Sequence, residues 1–379
     1  MKFLMNIIVV LLLISMFSGC TETELTTEED SGESESIMFD YAPLDLTNVV
    51  FIEPLGAMIG NHVTPIDHQY YSASDHMLQD AAQIIVDVYS PASGTVTQIQ
   101  HMSSLPGDDT TVIDDYRIVI EHTTTISSIY IHLDTLSAKI AAVAPLPGEY
   151  ASVNVDVLAG EIIGYYKGTI DYNVVDEDIV LTGFVNPDSY QVEPWKIHTA
   201  DPFDYFNEPI KSQLIEKCLR TAEPVGGKID YDIDGRLIGS WFKENTNGYA
   251  GLGQENYWVG HLSVVYHNVD PEHVIVSLGS YENQPRQFGV KSNSPDPADV
   301  SVATGQILYE LVDYDYYDGD VRWDRESLVK GLKLRNGDFV QGVVLFQLIE
   351  DRKLKVEIFP YATADSVGSF TANAMIYVR

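Results

Sequence analysis

Cysteine is nearly missing from this chain of 379 residues, which holds 2, Cys20 and Cys218. If Cys20 is committed elsewhere, as its context suggests below, no intrachain disulfide can form, and the folded part is held by core packing. Basic residues are also scarce, with 22 Lys and Arg against 56 Asp and Glu, a formal charge of −34. So acidic a surface repels a phosphate backbone, which sets nucleic acid aside as a partner. It suits a cationic partner, or a salty medium in which acidic surfaces are screened. Beyond the first twenty residues there is no apolar run long enough for a membrane-spanning helix. There is no internal repeat, and no Gly-x-Ser-x-Gly elbow frames a serine.

The opening is different. MKFLMNIIVVLLLISMFSGC carries one lysine, an apolar run and then small residues, and reads as a secretory signal over 1–19. Its end, "FSGC", resembles a lipobox with Phe17 where leucine is usual, so Cys20 is the expected lipidation site. An ordinary cleaved signal or an uncleaved anchor are the other readings. Residues 20–37 are acidic and free of aromatics, as in "TETELTTEEDSGESES", and are expected to form a disordered tether. These features predict a lipid-anchored protein at the cell surface or in the periplasm, bound to the membrane through Cys20.

From about residue 38 short β runs alternate with Gly, Pro and Asp turns. "QIIVDVYSPASGTVTQIQ" (83–100) and "VNVDVLAGEIIGYYKG" (153–168) read as strand–turn–strand. "YRIVIEH" and "TISSIYIHL" read as an antiparallel pair, and "EPWKIHTADPFDYF" (193–206) as strand-like. "PIKSQLIEKCLRTA" (209–222) is the clearest helix, with Cys218 on its apolar face, there a small buried residue and not a nucleophile. A second β-rich region follows, with strands expected in "YWVGHLSVVYH", "HVIVSLGSY", "QILYELVDY", "VQGVVLFQLIE", "KLKVEIFPY" and "ANAMIYVR". The expected fold is mainly β: an antiparallel β domain over 38–208, a linker helix over 209–224, and a barrel or sandwich over 225–379.

Seven of the 10 histidines fall between residues 62 and 198. His62 lies five residues before Asp67 in "GNHVTPIDHQYY", His132 sits in "YIHLDTLS", and His198 in "WKIHTADP". In extended segments residues two apart share a face, which would pair Tyr130 with His132 and Lys196 with His198. Imidazole and carboxylate from separate strands could converge on zinc. His68 is a further candidate, as a ligand or as a partner to one.

These segments resemble the lysostaphin-type (LytM-like) zinc endopeptidases over roughly residues 50–206. "HVTPID" is similar to the family's His-x-x-x-Asp motif, "YIHLDTLS" to its Tyr-x-His-Leu-Ser strand, and "KIH" to its His-x-His strand. "YSPASGTVTQI", "IVIEHTTT" and "VLAGEIIGYYKG" are similar to its connecting strands. The resemblance implies a zinc site of His62, Asp67 and His198, with His68 as an alternative ligand. It also implies a transition-state role for His132, and puts Lys196 where the family has a catalytic histidine. A lysine at its ordinary pKa is a poor general base near neutrality. The implied function is therefore binding of cell-envelope peptides or polymers with little or no turnover. The alternative is an active zinc metalloendopeptidase, a hydrolase of envelope cross-links.

Two acidic stretches in the second region bear on calcium. "DYDIDG" (230–235) begins like a calcium loop, but its twelfth position is Trp241, so calcium is not expected there and a strand with exposed aspartates is. "DYDYYDGD" (313–320) reads as an acidic hairpin tip. "GRLIGSWF" resembles the opening strand of lipocalin-like barrels, which would imply a ligand cavity.

Overall fold

The computed structural model describes residues 37–78, 82–102, 114–253 and 256–379. The expected signal, Cys20 and the tether up to residue 36 lie outside the described residues. No helix among the described residues is long and apolar enough to cross a membrane.

The architecture is mainly β and antiparallel. The first part of the chain gives β1 (Val49–Glu53), β2 (Gln69–Ala73), β3 (Val86–Tyr89), β4 (Gly94–His101), β5 (Tyr116–Glu121) and β6 (Ile126–Leu133). It continues with β7 (Thr135–Leu136), a short helix α1 (Ala138–Ala141), β8 (Tyr150–Val157), β9 (Ile162–Tyr166), β10 (Thr169–Asp176) and β11 (Thr199–Ala200). The main sheet runs β1-β2-β10-β6-β5-β4-β8, with β11 on β10, and a smaller sheet runs β3-β9-β7. β5 and β6 are the antiparallel pair the sequence suggests.

The two strand–turn–strand readings need correcting. β3 and β4 lie in different sheets, as do β8 and β9. Each turn carries the chain across the core from one sheet to the other. Between them lies one buried cluster that includes Val86, Val96, Ile118, Tyr130, Ile163, Tyr166 and Tyr172. Period-two alternation explains which residues it takes. Ile170, Tyr172 and Val174 of β10 enter this core. Asp171, Asn173 and Val175 therefore point to the opposite face of the main sheet, where Val175 packs with Val119 and Ile129.

α2 spans Ile210–Lys217, shorter than expected. Cys218 is already extended, bridging in parallel to Ile52, and Leu219 N–H donates to the Ile52 carbonyl. Pairing with β1 thus ends the helix. Cys218 is fully buried, and burial pushes its thiol up to about 12.

The second part forms β12 (Gly239–Lys243), β13 (His261–Tyr266), β14 (Val274–Tyr281), β15 (Gln284–Val290) and β16 (Ile307–Asp318). After these come β17 (Val321–Arg322), β18 (Lys333–Glu350), β19 (Lys353–Pro360) and β20 (Met375–Val378). Pairing of β15 with β16 closes the sheet into an eight-stranded barrel, from which β17 extends as a hairpin on β16. Its interior is filled: Trp241, Leu262, Phe288 and Phe346 belong to one buried cluster. Eight strands enclose a space that side chains alone can occupy.

The aspartates at 230–234 are not a row of exposed strand residues. Asp230 accepts from Gly183 N–H at 2.9 Å and Asp232 from Ser240 N–H at 2.8 Å, both buried, while Asp234 pairs with Arg352. The stretch 313–320 does end in a hairpin tip, turning at Gly319.

The seam between the two parts includes a bridge between Leu55 and Gly227. Gly227 has φ +101°, and a Cβ there would lie 2.4 Å from the Leu55 carbonyl oxygen. Gly227→Ala is expected to lower stability by roughly 1–3 kcal/mol, read by urea unfolding.

Candidate functional site

The outer face of β10, β6 and β5 forms the floor of a cleft. Two segments that are not strands supply its walls. One is the turn before β2, which carries His62, Asp67 and His68. The other is a 3₁₀ helix over Pro194–His198, where the sequence pattern suggested a strand. Pro194 at its first turn fixes φ for a helical start. In that helix alternation no longer applies, so Lys196 and His198 do not share a direction.

Lys196 is buried and turns inward. Its ammonium lies 3.0 Å from Asp67 Oδ1 and 3.0 Å from Glu193 Oε2, and 4.8 Å from the ring centre of Tyr249. The other oxygen of Asp67 accepts from the Trp195 indole N–H at 2.8 Å. Burial works against both charges, but each outweighs it in the other. Asp67 is held well below the usual carboxylate range, chiefly by Lys196 and then His68, and Lys196 well above the usual lysine range, chiefly by Asp67.

The network continues through His68. Its Nδ1 is 3.4 Å from Asp67 Oδ1, and its Nε2 is 3.1 Å from Asp171 Oδ2, off the line of a good hydrogen bond. Burial alone would discharge the imidazole. Asp171 and then Asp67 overcome this and push it up to about 9. His132 follows, with Nε2 3.5 Å from Asp171 and Nδ1 3.1 Å from Asp115. Its pKa is raised, by the Asp115 hydrogen bond first. The result is one alternating line of charges: Glu193, Lys196, Asp67, His68, Asp171, His132, Asp115.

His132 reaches this line by a local irregularity. Its φ is +73°, and the β5–β6 register slips between Tyr116 and Arg117. Tyr130 stays in the core while His132 is turned out. The expected shared face of these two residues is therefore lost to a bulge.

His62 is on the cleft wall, its ring centre 6.1 Å from that of His68. Burial first, then the positive charges of His68 and Lys196, push it down to about 4, so the ring is neutral. His198 is elsewhere. Its Nδ1 donates to the Ile179 carbonyl at 2.6 Å, and it lines a neighbouring cleft that shares Arg117, Ile129 and Trp195 with the first. The two clefts have volumes of about 370 and 550 Å³.

A zinc site needs lone pairs from separate donors aimed at one point, about 2.0–2.3 Å away. Asp67 presents both oxygens to N–H donors, and His198 faces away into the second cleft. No group of three or more His, Cys, Asp or Glu among the described residues is placed to hold a metal ion. As folded, His62, Asp67 and His198 are not brought to one point, and His68 lies between the carboxylates of Asp67 and Asp171.

Several groups in the cleft had no motif to announce them. Asp171 could be suspected only from alternation in "TIDYNVVD", and Asp115 lies just before β5. Trp195 stands beside Lys196 in the sequence, and Arg117 lies over its ring at 5.1 Å. Tyr249 and Tyr257 line the cleft from the second part of the chain, some fifty residues past the resemblance.

No family model matches the sequence, and no curated protein matches it. Among solved structures, the chain is similar to one from "Structure of the SpoIIQ-SpoIIIAH pore forming complex." The match has 14% identity and a TM-score of 0.29, and covers 47% of this chain and 96% of that one. The likeness is distant.

Proposed function

We propose that the chain is a binding protein of the cell envelope, built on a lysostaphin-type domain that has given up metal-dependent turnover. In this reading it is a lipoprotein held at the cell surface or in the periplasm through Cys20, and its cleft takes envelope peptides or polymers. The observation that supports it is the 3.0 Å contact between the Lys196 ammonium and Asp67. A fixed ammonium supplies the positive charge that a carboxylate in a metal site would otherwise take from an ion. The ammonium has no open coordination position, so no water is activated there. The neutral His62, the Trp195 ring and Arg117 remain available to contact a ligand along the two clefts.

The test combines metal content, turnover and binding on the purified protein. Dialysis against zinc is expected to leave well under about one zinc per chain. A soluble cross-linked envelope peptide is expected to bind without being cleaved. Trp195→Ala should weaken that binding by about 2 kcal/mol, as for an aromatic anchor at an interface centre. Stoichiometric zinc that is lost in both His62→Ala and His198→Ala, with cleavage lost in His132→Ala, would overturn the reading in favour of an active endopeptidase.

A further inference from the structure

The outer face of the main sheet continues past the cleft to β1 and β2, where the barrel packs against it and borders a separate, half-open cavity. Its volume is about 500 Å³, inside the ~300–1,000 Å³ range of small-molecule sites. Aromatic rings make its walls. Phe51 and Tyr70 come from the sheet, Tyr314 and Tyr316 from β16, and Trp323 from the segment after β17. The rings touch in series: Phe51 to Trp323 at 5.3 Å, Trp323 to Tyr316 at 5.8 Å, and Tyr316 to Tyr314 at 6.2 Å between centres.

Among these rings sits one carboxyl group, Glu53. Asn268 donates to one of its oxygens at 3.3 Å, and no lysine, arginine or histidine among the described residues forms an ion pair with it. Burial raises its pKa, against smaller opposing effects of the Asn268 hydrogen bond and of the Arg325 guanidinium, which acts on it from beyond ion-pair distance. The guanidinium in the lining, Arg325, donates to Asp315 at 3.3 Å and lies 4.9 Å over Tyr316. A second carboxylate, Asp313, also lines the cavity and is held by Arg286 at 3.2 Å.

The hydrogen-bond directions are also defined. Val269 N–H donates to His267 Nδ1 at 3.1 Å, so the proton of this neutral imidazole is on Nε2. Nε2–H then donates to the Tyr316 hydroxyl at 3.0 Å. Burial keeps His267 neutral by pushing its pKa down to about 3.

We propose that this cavity binds a small organic ammonium ion, with its charge against Glu53 and its alkyl groups on the faces of Tyr314 and Trp323. A half-buried carboxylate with no cation in contact is relieved by one supplied from outside. Ring faces carry the negative end of the aromatic quadrupole and attract the same charge. An anionic ligand would meet Glu53, Asp313 and a chain of formal charge −34. An inorganic cation would leave the ring faces unused.

The test titrates the full protein with tetramethylammonium chloride and n-butylammonium chloride, read by calorimetry and tryptophan fluorescence. Neopentyl alcohol, with a similar alkyl shape and no charge, is the control. At least one ammonium is expected to bind saturably in the millimolar range or tighter. Glu53→Gln should weaken it about tenfold or more and leave the melting temperature near wild type. Trp323→Leu, which keeps the carboxyl but removes a ring face, should also weaken it, while Trp195→Ala in the other cleft should not. The tighter probe identifies the source, a quaternary head group or a lysine-like amine. Equal binding of neopentyl alcohol, unchanged affinity in both Glu53→Gln and Trp323→Leu, or no saturable binding of either ammonium would overturn the proposal.

Discussion

Lys196→Met is expected to lower the unfolding free energy by about 3–5 kcal/mol, the usual consequence of leaving one member of a buried ion pair alone. Asp67 and Lys196 are 6% and 5% exposed, so water does not replace the missing partner. Methionine has nearly the length of lysine and packs against Tyr249 with little change of volume, so the loss is mainly electrostatic. Asp67 keeps the Trp195 N–H and His68 but loses the nearer cation. Asp67→Asn makes the complementary cut, and there Lys196 retains Glu193 at 3.0 Å. The double variant should lose clearly less than the sum of the two single ones, because each removes the same attraction. Denaturant unfolding of the four proteins at neutral pH measures this. A loss below about 1 kcal/mol in Lys196→Met, with additive single variants, would mean the pair is solvated and does not organise the cleft.

The pair was legible in the sequence only in its parts. "HVTPID" and "KIH" drew attention to the right segments, because few residue types there have any role but chemistry. What failed was the inference of direction. The stretch from Glu193 to Phe206 contains apolar and polar residues in near alternation, and Pro194 and Pro202 instead seed two 3₁₀ turns. That turned Lys196 toward Asp67 and His198 toward Ile179. At His132 alternation failed for another reason, a single residue with positive φ that no local pattern announces. Strand existence was legible wherever β-branched runs met turn residues, Asp and Thr around β5 and β6, Gly or Pro at β14 and β19. Strand partnership was legible for β5 with β6 but not elsewhere in the first part, since "SPASG" and "LAG" look like hairpin turns yet carry the chain between sheets. β15 was missed because "QPRQFGV" opens on polar residues and proline. The organic-ammonium cavity lay beyond reading altogether. Glu53 and Trp323 are far apart in the sequence, and only closure of the barrel against β1 and β2 brings them to one space.

The described fold also carries a built-in sensitivity to acid. His122 and His261 are pushed down to about 4 by burial, and His267 to about 3. Each has a neutral-state hydrogen bond: His122 with the Ser93 carbonyl, His261 with the Tyr249 carbonyl, and His267 with the Tyr316 hydroxyl. A histidine with a folded pKa below its unfolded value of about 6.5 gives stability that is complete above that value. The stability is lost as pH falls toward the folded pKa, because the unfolded chain takes up the proton first. Each imidazole accounts for at most roughly 3 kcal/mol over that window, or roughly 5 for His267. Asp201 and Asp232 pull the other way. Burial raises both to about 6, so protonation favours the native state as pH falls below that value. His62, at about 4, and His273, also lowered by burial, join these three, making five histidines against three carboxyls once Glu53 is counted with Asp201 and Asp232, and Asp67 adds to the losing side once pH reaches the carboxylate range. On the alkaline side, His68 at about 9 gives stability that is complete below about 6.5 and is lost as pH rises through 9. Stability should therefore peak near neutrality and fall steeply between about pH 6 and 4. Urea unfolding across pH 4–9 measures the profile. His122→Asn, which keeps a donor toward the Ser93 carbonyl, should reduce the acid slope by about one proton. A profile flat from neutrality to pH 4, or an acid slope unchanged in that variant, would show that these imidazoles are hydrated and that burial does not hold them neutral.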